Sequence, residues 1–125
     1  SAEIMAQQSV ARQWSEVMLN CIRKDFARPT VQARTIAHAS WAMYDAFAVY
    51  DDLSEPYLLG KTVGSYTAPF NGIAPPANIQ AAQEKAMSYA MYRFLTYRFQ
   101  AFTPPGSWQN FISVYLNDQM IALEY

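Results

Sequence analysis

PTVQARTIAHASWAMYDAFAVY, residues 29–50, decides the fold class. Pro29 opens the stretch, its fixed φ suiting the first position of a helix. No glycine or further proline interrupts Thr30 to Tyr50. At about 100° per residue, Ile36, Met43, Phe47 and Tyr50 fall on one side, and alanines at 33, 37, 39, 42, 46 and 48 cover most of the rest. A helix that is apolar nearly all round is a buried one. The stretch is therefore expected to be the central helix of a bundle, its small residues letting neighbours approach closely.

Upstream, Ser9 is placed to cap a first helix running to about Phe26, its hydroxyl accepting a free first-turn amide. Val10, Trp14, Val17, Cys21 and Ile22 recur at helical spacing, opposite Arg12, Glu16, Asn20 and Arg23. Cys21 falls in the apolar stripe, which reads as a small core residue and not a reactive thiol. Downstream, Gly60, Gly64, Pro69, Gly72, Pro75 and Pro76 break the helical period and make 53–77 one long loop. Its tyrosines and Phe70 point to a loop packed over other structure. Asn78 caps a third helix from Ile79 to about Phe102, aromatic on two sides from Tyr89 onward. Pro104-Pro105-Gly106 ends it, and Ser107 caps a fourth, whose stripe is Trp108, Phe111, Ile112, Tyr115 and Leu123. That last helix has no glycine, asparagine or basic final turn to finish it. The expectation is an all-α bundle of about four helices, residues 1–125 forming a single helical domain that is the N-terminal part of a longer protein.

The 125 residues are 52% hydrophobic and 15% aromatic but only 15% charged. That is more apolar surface than one core of this size needs, and the surplus asks for a cover. Nine basic and ten acidic residues are scattered singly, so no basic stripe exists to neutralise phosphates, and nucleic acid is not an expected partner. No apolar run approaches the ~18 residues of a membrane span. One cysteine allows no internal disulfide.

The chemistry is sparse. With His38 as the only histidine, there is no paired-histidine metal site, and no Cys-x-x-Cys, glycine-rich phosphate loop or Gly-x-Ser-x-Gly elbow occurs. The constellation worth weighing is Arg34, His38, Trp41 and Asp45, which share one face of the second helix over three turns. A histidine oriented by a carboxylate is common in catalysis, and an arginine can hold an anion. His38 and Asp45 are two turns apart, however, ~10 Å along the axis, too far for a direct bond. Arg34, His38 and Asp45 are accordingly read as buried polar supports, satisfied by adjacent helices. Asp51, Asp52 and Glu55 read as a solvated helix end ahead of a calcium site. No catalytic, cofactor-binding or metal-ligating residue is assigned.

Several pieces read together as a signature: Trp14-Ser15-Glu16, Ile22-Arg23-Lys24-Asp25, Ala27-Arg28-Pro29-Thr30, Ala33-Arg34 and Ala42-Met43-Tyr44-Asp45-Ala46. With Tyr57-Leu58-Leu59-Gly60-Lys61-Thr62 and Ala86-Met87-Ser88-Tyr89-Ala90-Met91-Tyr92-Arg93, they span most of the chain. This pattern resembles the N-terminal region of bacterial vanadium-dependent haloperoxidase-like proteins, in the superfamily shared with type 2 phosphatidic acid phosphatases. The resemblance implies a mostly helical enzyme that binds vanadate or phosphate, acting on halide and peroxide or on phosphate esters. It also implies an extracytoplasmic location. The family's anion-binding motifs lie in its C-terminal half. Here Lys24…Arg28-Pro29 is too short for the lysine-to-arginine-proline interval, and no Pro-Ser-Gly-His occurs. Vanadate would then belong to the parent, and this chain would be a helical scaffold inactive alone. Its partner would be the remainder of the parent, or a second copy joined through the aromatic helix faces. The alternatives are a self-contained helical protein-interaction module, or a small binding protein whose aromatic loop 57–73 closes over an apolar ligand.

Overall fold

The computed structural model describes residues 8–26, 28–101 and 109–125. Among the described residues there are four helices and one small hairpin: α1 (Val10–Lys24), α2 (Pro29–Ala48), β1 (Thr62–Val63), β2 (Tyr66–Thr67), α3 (Ile79–Ala101) and α4 (Gln109–Ala122). The architecture is all-α, as the helical periods require.

Local signals explain where the helices begin. Ser9 is extended and its Oγ accepts from the Arg12 amide at 3.2 Å, satisfying one free first-turn donor. Pro29 sits in the first turn of α2 and Asn78 Oδ1 accepts from the Ala81 amide at 3.0 Å at the head of α3. The expected cap at Ser107, the stripe residue Trp108 and the helix end at Phe102 lie outside the described residues.

Three boundaries depart from expectation. First, α1 stops at Lys24, short of Phe26, because Asp25 turns to extended backbone and its carboxylate is taken by groups beyond the helix. Second, the loop contains a hairpin: Thr62 pairs with Thr67 and Val63 with Tyr66 across Gly64-Ser65. Gly64 has φ 63°, and a positive φ at the first turn position is what a tight hairpin twisting with its strands demands.

Third, α4 is finished. Glu124 adopts φ 65°, its amide donates to the Ile121 carbonyl, and the Tyr125 amide reaches back to the Met120 carbonyl at 2.9 Å. This is a Schellman closure made without glycine, with Tyr125 folded onto the core. The helix closes without the expected glycine or asparagine because a left-handed glutamate makes the same bonds at a cost of about 1 kcal/mol. Glu124→Gly should therefore raise stability by about 0.5–1 kcal/mol, seen as an upward shift of a few degrees in the thermal midpoint.

The central helix is α3, not α2. The other three helices pack around α3, which buries Ser88, Met91, Leu95 and Phe99 along one line. Facing it, α1 contributes Val10, Trp14, Val17, Met18 and Cys21, and α4 contributes Ile112, Leu116 and Met120. Helix α2 lies at the edge and buries mainly small or polar residues, Thr35, Ala39, Asp45 and Ala48, while Ile36, Trp41 and Tyr44 are exposed. Alanine suits a close helix contact on one side and water on the other, so an alanine-rich surface does not by itself mean burial. The α4 stripe shifts likewise: Leu116 and Met120 are buried with Ile112, Tyr115 and Leu123 are partly covered, and Phe111 is exposed.

Trp14, fully buried, donates from Nε1 to Ser88 Oγ at 2.9 Å, and Ser88 donates on to the Glu84 carbonyl at 2.8 Å. The indole thus meets a satisfied partner inside the core. Burial pushes the Cys21 thiol up to about 12, which leaves no thiolate to react near neutrality.

Candidate functional site

Two buried carboxylates organise everything around α2. The Asp25 side chain is fully buried at the α1–α2 junction. It accepts from Gln32 Nε2 at 2.9 Å, Arg28 Nη2 at 3.1 Å and Arg98 Nη2 at 3.1 Å. Arg98 also donates from Nε to Thr35 Oγ1 at 2.9 Å, and Thr35 donates to the Val31 carbonyl at 3.0 Å. One carboxylate thereby ties the α1 end, the first turns of α2 and the last turns of α3. Burial pushes the Asp25 carboxyl up. Hydrogen bonds from Gln32, the Phe26 amide, Arg28 and Arg98 outweigh that and hold it below the usual carboxylate range.

Asp45, near the other end of α2, clamps the loop. Its carboxylate accepts from the backbone amides of Tyr57 (2.6 Å), Leu58 (2.9 Å) and Leu59 (3.0 Å). The returning loop is further held by Tyr44 Oη donating to the Glu55 carbonyl at 2.9 Å, and by a Lys61–Glu55 ion pair at 3.0 Å. Trp41 stacks on Tyr57 with ring centroids 5.4 Å apart, and His38 leans on Trp41 at the same distance.

Of the four residues singled out on α2, His38 and Trp41 meet ring to ring, and these two share the wall of one cleft with Asp45. Asp45 is buried, but its partners are loop amides and not a neighbouring helix. Arg34 and His38 are exposed, contrary to their reading as buried supports, because α2 is an edge helix and their side of it turns away from the core. His38 and Asp45 are not hydrogen-bonded. Asp51 takes the Leu53 amide at 3.3 Å, and Glu55 pairs with Lys61 instead of joining it. Among the described residues no three His, Cys, Asp or Glu side chains converge as a metal would need, and no helix is long and apolar enough to cross a membrane.

Two cavities flank His38. The first, about 330 Å³, is lined by Arg28, Arg34, Arg98, Thr35, His38, Val31, Phe94 and Tyr97. The second, about 730 Å³, is a largely apolar cleft between α2 and the hairpin, with Trp41, Ala42, Leu58, Val63, Tyr66 and Ala90 in its wall. His38 stands in the wall of both.

Sequence reasoning did not bring Asp25, Thr35 and Arg98 together. A usable signal was present for one contact alone: Asp25 at the helix break with Arg28 three residues on, ahead of Pro29. Arg98 joins from 73 residues away, which no local pattern encodes. Compared with protein-family models, with curated proteins and with solved structures, the chain matches none.

Proposed function

We propose that this chain is a helical scaffold region of a protein similar to the vanadium-dependent haloperoxidases and type 2 phosphatidic acid phosphatases, without oxyanion chemistry of its own. The observation that carries the reading is how the residues of the resembling pieces are used. Asp25 and Arg28 lock the α1–α2 junction, Pro29 starts α2, and Asp45 with Tyr44 anchors the Tyr57-Leu58-Leu59 piece. In each case the polar group is engaged in internal architecture. Support also comes from surface left uncovered: Ile36 and Tyr44 on α2 and Val114 and Ile121 on α4 are exposed. An apolar surface of that kind is normally covered by other protein, here the remainder of the parent.

The test pairs the native gene product with the isolated chain. A native product several times heavier than 14.2 kDa, carrying downstream serine-glycine-histidine and arginine motifs, is expected. It should brominate a dye in the presence of vanadate and peroxide, or release phosphate from an ester, while the isolated chain does neither. Concentrated samples of the isolated chain should self-associate in light scattering. A native product of this size, or turnover by the chain alone, would sink the reading.

A further inference from the structure

We infer that the two cavities flanking His38 form one binding site for a small organic carboxylate, its head held by Arg28, Arg34 and Arg98 and its apolar body lying in the cleft under the hairpin. The charge comes first. Three guanidinium groups line a cavity of about 330 Å³, and the carboxylate bonded to two of them, Asp25, is already shared among Arg28, Arg98 and Gln32. The excess is positive. Arg34, exposed at the rim, makes no ion pair or side-chain hydrogen bond among the described residues and is open to an anion entering the cavity.

The donors come second. Arg28 Nε and Arg98 Nη1 are buried and have no acceptor among the described residues. Buried guanidinium N–H groups without partners are costly and uncommon, and both belong to side chains that line the first cavity, so a small rotation of either guanidinium would bring an unsatisfied donor to an acceptor entering there. Planar guanidinium groups are the side chains best suited to take a carboxylate's two oxygens.

The apolar body comes third. A bare inorganic anion would leave Val31 and Phe94 lining empty space in the first cavity, and the neighbouring cleft of about 730 Å³ is walled mainly by apolar groups, with Lys61 and Asp45, already paired to Glu55 and to loop amides, also in its lining. Cavities of this size class, greasy with a few converging polar groups, are the usual form of a small-molecule site. His38 and Trp41, ring against ring, stand where head and body meet. The site needs no catalytic residue and is independent of the scaffold reading above.

The probes are acetate, octanoate, octanamide and octyl phosphate, titrated into the full chain at low ionic strength by calorimetry, with arginine side-chain NMR signals followed in parallel. Octanoate is expected to bind saturably, at about 0.1–1 mM for a ligand of its size. It should bind more than about tenfold tighter than acetate, since each buried methylene contributes about fourfold. Arg34→Gln, outside the Asp25 network, should weaken octanoate by roughly tenfold and leave the thermal midpoint unchanged. Val63→Asp, on the exposed hairpin, should erase the chain-length preference while leaving acetate binding as it was. Octanamide binding as tightly as octanoate, an Arg34→Gln variant with unchanged affinity, or no saturable binding would overturn the site. Octyl phosphate binding more tightly than octanoate would overturn the carboxylate head.

Discussion

Replacing Asp45 by alanine is expected to release the loop from α2 and to cost about 2–4 kcal/mol of stability. Three amides, those of Tyr57, Leu58 and Leu59, converge on this one carboxylate within 3.0 Å. Hydrogen bonds to a charged acceptor each contribute about 1.5–3 kcal/mol, but the freed amides regain water once the loop lifts, so the net loss is smaller than the sum. The contact also closes a long excursion of chain, and without it the entropy of that segment returns. Hydrogen exchange should read the change directly, with protection lost at residues 57–59 while Met91 and Leu95 in α3 keep theirs. Trp41 emission should shift as its stack with Tyr57 opens. Asp45→Asn should fall between the two, because one amide oxygen cannot accept from all three donors and its NH₂ faces N–H groups. Unchanged protection at 57–59 in Asp45→Ala would refute the clamp.

Asp25→Ala should be costlier, about 3–5 kcal/mol, because it strands buried donors on Arg98 and Gln32. A typical domain has only about 5–15 kcal/mol in all, so the variant should be partly unfolded at room temperature. Asp25→Asn keeps the shape and allows a measurement across pH. The Asp25 carboxyl is held below the usual range in the folded chain. Its charge therefore contributes stability above about pH 4, where the carboxyl ionises in the unfolded chain, and that contribution fades as pH falls through the lower folded value. In urea melts, the gap between the native chain and Asp25→Asn should be widest near neutrality and shrink below about pH 4. A gap that stayed constant into acid would mean that the charge is not what holds the junction.

The two carboxylates also mark the limit of what local pattern conveys. Ser9, Pro29 and Asn78 were legible as helix starts because capping is settled within a turn. The α1 stripe of Val10, Trp14, Val17 and Cys21 was legible because its period is a property of the helix itself. Asp45 was legible as a position on a face shared with Arg34, His38 and Trp41, but its partners come from residues twelve to fourteen further on. Arg34 and His38 lie on the helix that the pattern predicts, but on its exposed side. Their use together with Arg28 and Arg98 depends on α3 lying alongside α2.

By itself, then, the sequence determined the all-α class, the four helices among the described residues, most of their starts and the inertness of Cys21. These follow from backbone sterics, capping and the 3.6-residue period, all satisfied within one element. Tertiary structure alone decided that α3 and not α2 is the central helix, that a hairpin sits over α2, and that Asp25 and Asp45 tie distant segments together. Which face of an apolar helix is buried, and which donor finds a given carboxylate, depends on what packs against it. A chain read one residue at a time does not contain that neighbour.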